Sequence, residues 1–148
     1  MFFFLGKNDQ SIEKNAKVVN KWKREHRKLE EYAGKVIASY DENKPKRAKK
    51  YLHKLELLAL NHLMDEDVTF FDLEKTARLR DIHIVDAMKE FRRSFSGTKK
   101  VLFHFFFYYT SPKTILDETF REKFDAIVSA LVQRIEFEEN NLYTMIAK

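Results

Sequence analysis

Histidine and glutamate residues stand at helical spacing inside apolar segments of this chain, a pattern typical of a buried polar or metal-binding site. His62 and Glu66 lie four residues apart within the stretch NHLMDEDVTFFDL, so a helix places both side chains on one face. His26 and Glu138 stand at similarly apolar positions in two other segments. Because an unpaired polar group inside a core is costly, these side chains must bind each other, a metal or another charge.

Long amphipathic segments carry these residues. Their apolar residues recur every three or four positions, which is the spacing of a helix that buries one face. Four such helices with short links predict an all-α fold, an antiparallel up-down-up-down four-helix bundle. The helices are expected from about Ser11 to about Tyr40, from near Pro45, from near Asp81 with an interruption near Gly97, and from the cap Ser111 with Pro112 in its first turn.

Length and composition fit one helical domain. The chain has 148 residues with only three glycines and two prolines, which are few for a β-rich fold with many turns. It has no cysteine, which excludes disulfides, thiolate metal ligands and thiol nucleophiles. We predict a bundle domain over residues 11–148, preceded by an N-terminal aromatic arm over residues 1–10. The phenylalanines of this arm, Phe2 to Phe4, either fold back onto the domain or dock on a partner.

Charge and hydropathy argue against a nucleic-acid or membrane partner. The net charge of +5, from 28 basic and 23 acidic residues, is modest. We interpret the basic cluster from Lys46 to Lys50 as the solvated first turns of a helix, because it lacks the recognised motif or interleaved aromatic residues of a nucleic-acid face. No stretch approaches the roughly 20 apolar residues of a membrane span. Without a catalytic triad, phosphate loop or dinucleotide fingerprint, we expect a non-enzymatic protein. Because the chain has no cysteine, a reduced cytoplasm is its expected location.

The histidine and glutamate motifs resemble those of hemerythrin-like, or HHE cation-binding, domains. His62 to Glu66 followed by DVTFFDL is similar to the second-helix signature of that family. His26 after Trp22 matches its first-helix histidine, and RIEFEENNLY resembles its fourth-helix motif. The likeness covers nearly the whole chain in the family's helix order. It implies an antiparallel four-helix bundle with a non-heme di-iron centre that binds O2, NO or related species. For this chain we predict one or two non-heme iron ions, used to bind or sense O2, NO or oxidants.

The resemblance also implies particular metal ligands, with two departures from the family pattern. Arg134 stands where the fourth helix normally supplies a histidine, and a guanidinium cannot ligate a metal. The third helix offers His104 with Tyr108 in place of two histidines four residues apart. A site with one metal or an altered pair of metals therefore stays open. The implied ligands are His26, His62, Glu66 and Glu138, with His104 as a further contributor.

Two alternatives need no metal. In the first, Arg134 pairs with Glu66 or Glu138 in a buried salt-bridge network, with the histidines at its edges. In the second, the chain acts by protein–protein contact, because KVVNKWKREHRKLEEY, residues 17–32, resembles the first helix of the regulator of sigma D family. Those helical bundles bind a sigma factor. This alternative predicts a protein partner or a homodimer on an exposed apolar surface, formed by Leu57, Leu60 and Met64 or by the arm Phe2 to Phe4.

Overall fold

The chain folds into helices joined by short connections. The computed structural model describes residues 2–77 and 82–147, with side chains from residue 15 onward except at 77. The all-α prediction is confirmed, since no strand occurs within those ranges. The part of the chain described contains no helix long and apolar enough to cross a membrane. The elements are α1 (Phe2–Asp41), α2 (Pro45–Ala77), α3 (Ile82–Phe95), α4 (Thr98–Tyr109), α5 (Glu118–Phe137), a π-helical turn (Glu138–Leu142) and α6 (Tyr143–Ile146).

The first helix starts earlier than the sequence predicted. Its backbone is helical from Phe2 rather than from about Ser11, and it continues through Gly6, Asn8 and Asp9 although these residue types are common in turns and caps. What the phenylalanines of the arm contact stays a prediction, since the side chains of residues 2–14 lie outside the described part. At its other end α1 stops at the turn that contains Asn43, whose φ is 58°. Asparagine tolerates this left-handed conformation better than most residues.

The last long helix starts later than predicted, at Glu118 rather than at Ser111. The segment from Ser111 closes a turn, in which the Thr114 N–H donates to the Ser111 carbonyl at 3.1 Å. Proline at the second position suits such a turn. The helix cap is instead Asp117, whose carboxylate accepts a hydrogen bond from the Phe120 N–H at 2.9 Å.

Contacts between helices show which neighbours run in opposite directions. Where α1 and α2 touch, contacts at higher residue numbers of α1 are made to lower residue numbers of α2, so the two helices are antiparallel. The same relation holds between α1 and the segment from α5 to α6, and between α2 and the segment from α3 to α4. Between α1 and α2 the contacting pairs are Trp22–Asp65 and Tyr32–Tyr51. Between α1 and the segment from α5 to α6 they are Asp41–Arg121 and Asn15–Ile146. Between α2 and the segment from α3 to α4 they are Glu74–Arg92 and Glu56–Thr110.

The core consists of two apolar clusters with a polar layer between them. This polar layer is formed by the buried side chains of His26, His62, Glu66, Arg134 and Glu138. On α1, His26 lies between Trp22 of one cluster and Leu29 of the other, and the same order holds along α2 and from α5 into the π-helical turn. The large apolar cluster includes Leu29, Val36, Leu52, Leu55, Leu102, Phe105, Phe106, Phe120 and Phe124. The small apolar cluster comprises Val19, Trp22, Phe70, Met88, Phe91, Leu142, Tyr143 and Ile146.

Candidate metal centre

Four side chains of the polar layer converge on one point. They are His26 from α1, His62 and Glu66 from α2, and Glu138 from the π-helical turn. Each offers one ligand atom, and these atoms all lie within 4.8 Å of one another. All four residues are buried, with at most 3% of their surface exposed. The structure thus brings together four of the five residues that the sequence indicated, and their role as metal ligands stays a prediction.

The distances between donor atoms fit a single ion. His26 Nε2 lies 3.0 Å from His62 Nε2 and 3.1 Å from Glu138 Oε1. His62 Nε2 lies 2.8 Å from Glu66 Oε1. Neighbouring ligands are separated by about 3 Å when each is about 2.1 Å from the same metal. The four groups therefore have the spacing of one coordination sphere.

Hydrogen bonding within the polar layer is incomplete. Glu66 Oε1 and His26 Nδ1 are buried and make no hydrogen bond to any described residue. Glu66 Oε1 nevertheless faces the nitrogen of His62 at ion-pair distance. A buried carboxylate oxygen without a hydrogen bond is costly, and a cation among these donors satisfies it. Imidazole and carboxylate donors suit iron, manganese or zinc, so the residues present fit such an ion.

Glu25, which the sequence did not single out, fixes the orientation of one histidine. Its Oε1 lies 2.7 Å from His62 Nδ1. An N–H on Nδ1 that donates to this carboxylate leaves the Nε2 lone pair facing the other donors, which is the usual arrangement behind a metal-binding histidine. Glu25 precedes a core position on α1, so only the register of α1 against α2 reveals the contact.

Arg134 forms the buried salt bridge that the first metal-free alternative contains. Its Nε–H donates to Glu138 Oε2 at 3.2 Å, and its Nη2 lies 3.8 Å from Glu66 Oε1. The guanidinium also lies over the Phe91 ring, 4.7 Å from its centroid. Arg134 thus covers one side of the two carboxylates, while His26 and His62 approach from another.

Burial and mutual proximity alter the protonation of these groups. Burial and the Glu138 carboxylate raise the pKa of Glu66 from 4.5 to about 8. Burial opposes the charge on His62, but the carboxylates of Glu66 and Glu25 outweigh it and raise the pKa of His62 from 6.5 to about 9. Burial likewise opposes ionisation of Glu138, yet hydrogen bonds from His26 and Glu66 and the charge of Arg134 lower its pKa. In the metal-free protein, protons and the guanidinium therefore offset the buried carboxylates.

Tyr143 is a second residue that the sequence analysis missed. Its hydroxyl donates to Glu66 Oε2 at 2.7 Å and lies 3.2 Å from His26 Nε2 and 3.4 Å from Glu138 Oε1. Burial, together with the neighbouring carboxylates, raises the pKa of this phenol. The placement depends on the π-helical turn, and no sequence signal marks that turn.

His104 lies outside the polar layer. It is exposed on α4 and lines a groove of about 460 Å³ between α4 and α5, with Tyr108 and Lys123 among its neighbours. The helix break near Gly97 is present, but α4 turns its opposite face, with Leu102 and other apolar side chains, to the core. The structure therefore does not bring His104 to the other four residues.

Comparison with known families supports the resemblance stated above. A family model described as the hemerythrin HHE cation binding domain matches residues 17–146. This range contains all the residues of the polar layer. Comparison with curated proteins and with solved structures finds no match. Since the matched range covers most of the 148 residues, the chain belongs to the hemerythrin HHE cation-binding domain family.

Proposed function

We propose that this chain is a non-enzymatic, cytoplasmic bundle that holds one non-heme iron ion and uses it to bind or sense O2, NO or an oxidant. The observation that carries the proposal is the convergence of four buried donor residues within 4.8 Å in a member of a cation-binding family. We further propose that the helices pack as an antiparallel up-down-up-down four-helix bundle, with α3 and α4 together supplying the third helix.

Arg134 supports one ion rather than two. Its guanidinium contacts the carboxylates of both Glu138 and Glu66, so its positive charge already offsets part of the negative charge that a second cation would need. It also cannot ligate a metal. On the α3 side, the buried residues are the apolar Val85, Met88 and Phe91, which offer a second ion no strong donor.

The protein side chains prepare the centre for iron. An iron ion held there supplies binding of diatomic ligands and electron exchange with oxidants. The two histidines provide neutral imidazole nitrogens, and the two carboxylates supply negative charge. The apolar clusters on either side exclude water, which strengthens the interactions of the charged groups with a cation.

A small void beside the polar layer excludes ligands much larger than a diatomic molecule. It has a volume of about 10 Å³ and is bounded by His62, Arg134 and Glu138 on the polar side and by apolar residues elsewhere. A void of this size holds about one water-sized molecule. The apolar part of its wall comprises Leu29, Ala59, Leu63, Leu131 and Ile135.

The proposal of an iron site is tested by elemental analysis and visible spectroscopy on protein purified anaerobically and then exposed to air. We expect about one iron per chain, lost in His62→Ala and Glu66→Ala. His104→Ala serves as the matched control, because this exposed histidine lies in a separate groove, and it should keep the iron. Wild-type protein that folds but binds no iron contradicts the proposal.

The diatomic ligand is tested by filling the void. Ala59 is 1% exposed and lines it, so Ala59→Leu should retain the iron while reducing the spectral response to O2 or NO. Ala126→Leu, at an exposed position on α5, is the control of equal size change. An undiminished response in Ala59→Leu contradicts the assignment of the void.

The exposed face of α2 favours a second candidate, a metal-free regulator that acts by protein–protein binding. Leu57 and Met64 are each 52% exposed, as predicted, whereas Leu60 is partly buried. Val68 and Phe71 extend the exposed apolar face, at 64% and 59%. Under this second candidate the buried Arg134 network replaces the metal. Two results together favour this second candidate over the first. Wild-type protein binds no iron, and Met64→Glu stays folded but no longer forms the protein complex, or the homodimer, that sedimentation shows for the wild type.

A further inference from the structure

We propose that Tyr143 is a fifth ligand of the metal centre and supplies its phenol oxygen beside two imidazoles and two carboxylates. The inference rests on the proposed iron binding and deepens it. It adds an oxygen donor to the ligand set implied by the histidine and glutamate motifs.

The position of the phenol oxygen distinguishes a ligand from a supporting group. A residue that merely supports one ligand from behind contacts that ligand alone, as Glu25 contacts His62 at 2.7 Å. The Tyr143 hydroxyl is instead 2.7 Å from Glu66, 3.2 Å from His26 and 3.4 Å from Glu138. These distances match the spacing among the four donors themselves, so the phenol oxygen lies within the same group of atoms rather than outside it.

The π-helical turn is what places the Tyr143 side chain beside Glu138. An α-helix advances about 100° per residue, so a residue five positions after Glu138 faces well away from it. Here the Tyr143 N–H donates to the Glu138 carbonyl, the hydrogen bond of a π-helix. The wider turn brings Tyr143 onto the face of Glu138 and Arg134. Single π-turns inside α-helices are rare and occur mostly at functional sites.

The ring of Tyr143 is buried between two other rings, and its hydroxyl is not required for this packing. The ring stacks on His26 with centroids 5.6 Å apart and is tilted against Trp22 at 5.3 Å, and 1% of the residue is exposed. Phenylalanine would fill nearly the same volume. The hydroxyl adds a polar atom to a buried site, which is costly unless that atom has a partner.

A phenol ligand changes the character of the centre. With Tyr143 the set contains three oxygen-bearing residues and two histidines, and hard oxygen donors favour ferric iron over softer ions. Coordination exchanges the phenol O–H bond for an O–metal bond, and the proton leaves to solvent. The electron count of the metal is unchanged in this exchange.

The test uses the 148-residue chain loaded with ferric iron, with metal content, visible absorption and resonance Raman spectra as readouts. We expect a charge-transfer band and enhanced tyrosinate ring vibrations in the wild type, both lost in Tyr143→Phe. Iron content should stay near one per chain in that variant, with affinity lowered about tenfold or more. Tyr109→Phe is the matched control, because Tyr109 is also a buried tyrosine, 3% exposed, but belongs to the large apolar cluster.

The outcomes separate this inference from the proposed function. Iron bound without tyrosinate vibrations in the wild type, or vibrations that persist in Tyr143→Phe, overturn the ligand role of Tyr143 and leave iron binding intact. Failure of the folded wild type to bind iron overturns both. Circular dichroism of Tyr143→Phe excludes unfolding as the cause of a lost band.

Discussion

The polar layer and the large apolar cluster are built on the same helices but are stabilised differently. In the large cluster, rings pack on rings, as Phe120 stacks on Phe124 with centroids 5.5 Å apart. Its contribution comes from burial and close packing and needs no partner. In the polar layer, Glu66 and Glu138 are buried and coupled to charged neighbours. The net contribution of such a layer depends on what neutralises it. We infer that the large cluster maintains the fold, while the stability of the polar layer depends on the protons, guanidinium or cation that offset its carboxylates.

The largest expected effect lies in the large apolar cluster. Phe124→Ala should lower the free energy of unfolding by about 3–5 kcal/mol, because it leaves a cavity in a packed core. Phe124 is fully buried and contacts Phe105 and Phe120. Denaturant titration of metal-free and iron-loaded protein measures the loss, which should be similar in both.

Phe107→Ala is the control for this prediction, because Phe107 is 84% exposed on α4 and its removal should change stability little. A loss in Phe124→Ala that appears only in the metal-free protein would contradict the proposed independence of the two regions.

The second effect is removal of the guanidinium from the polar layer. Arg134→Met keeps much of the side-chain volume but removes the guanidinium that pairs with Glu138. In the metal-free protein we expect a loss of about 3–5 kcal/mol. In the iron-loaded protein the loss should be smaller, because the metal still offsets both carboxylates. Calorimetry of the two forms measures the difference.

Arg121→Met is the matched control for Arg134→Met. Arg121 pairs with Asp41 at the surface, where its side chain is 29% exposed, and such pairs contribute up to about 1 kcal/mol. Equal losses with and without iron in Arg134→Met would show that the guanidinium and the metal do not share a role.

The third effect is a pH dependence confined to the metal-free protein. Burial raises the pKa of Glu66 to about 8, and neighbouring carboxylates, against burial, raise that of His62 to about 9. The folded state thus retains protons that the unfolded chain releases, starting near pH 4.5 for Glu66 and near pH 6.5 for His62. The stabilisation that these bound protons give is complete below pH 4.5 for Glu66 and below pH 6.5 for His62. It disappears as the pH rises to about 8 for Glu66 and to about 9 for His62.

We therefore expect the free energy of unfolding of the metal-free protein to fall between pH 6.5 and pH 9 by an amount on the order of 3 kcal/mol from His62 alone. Glu66 adds to this fall up to about pH 8. The lowered pKa of Glu138 acts in the opposite sense but only in acid, below its ordinary 4.5. His62→Gln should reduce the slope above pH 6.5. Iron-loaded protein should lack the fall, because metal binding has already displaced the protons. A flat profile in the metal-free wild type would contradict the buried network described here.

The sequence predicted the parts of the polar layer that follow from the spacing within a straight helix. His62 and Glu66, at four residues apart, share a face of α2 as expected, and His26 lies in the buried stripe of α1. Periodicity alone was enough for these positions because burial recurs with the helical repeat. The confirmed helical class has the same origin.

The residues that were missed depend on structure beyond one helix. Tyr143 reaches the layer only because the helix widens to a π-turn after Glu138, and Glu25 only because α1 and α2 pack in a particular register. The start of α5 was misplaced because Ser111 and Pro112 suit a tight turn as well as a helix start. Neither register nor turn choice is encoded in apolar periodicity.

The smallest effect concerns Glu25, at the edge of the polar layer. Glu25→Gln should lower iron affinity by about 10–100-fold, as for other groups that orient a metal-bound histidine. The amide oxygen of glutamine can still accept from His62 Nδ1, so the ring keeps its orientation while the negative charge behind it is lost. Glu25→Ala removes both.

Competition with a chelator measures affinity, and Glu30→Gln, at an exposed position on α1, is the control. If Glu25→Gln binds iron as tightly as the wild type while Glu25→Ala does not, orientation alone matters. Equal losses in both would instead assign the effect to the charge that Glu25 places behind His62.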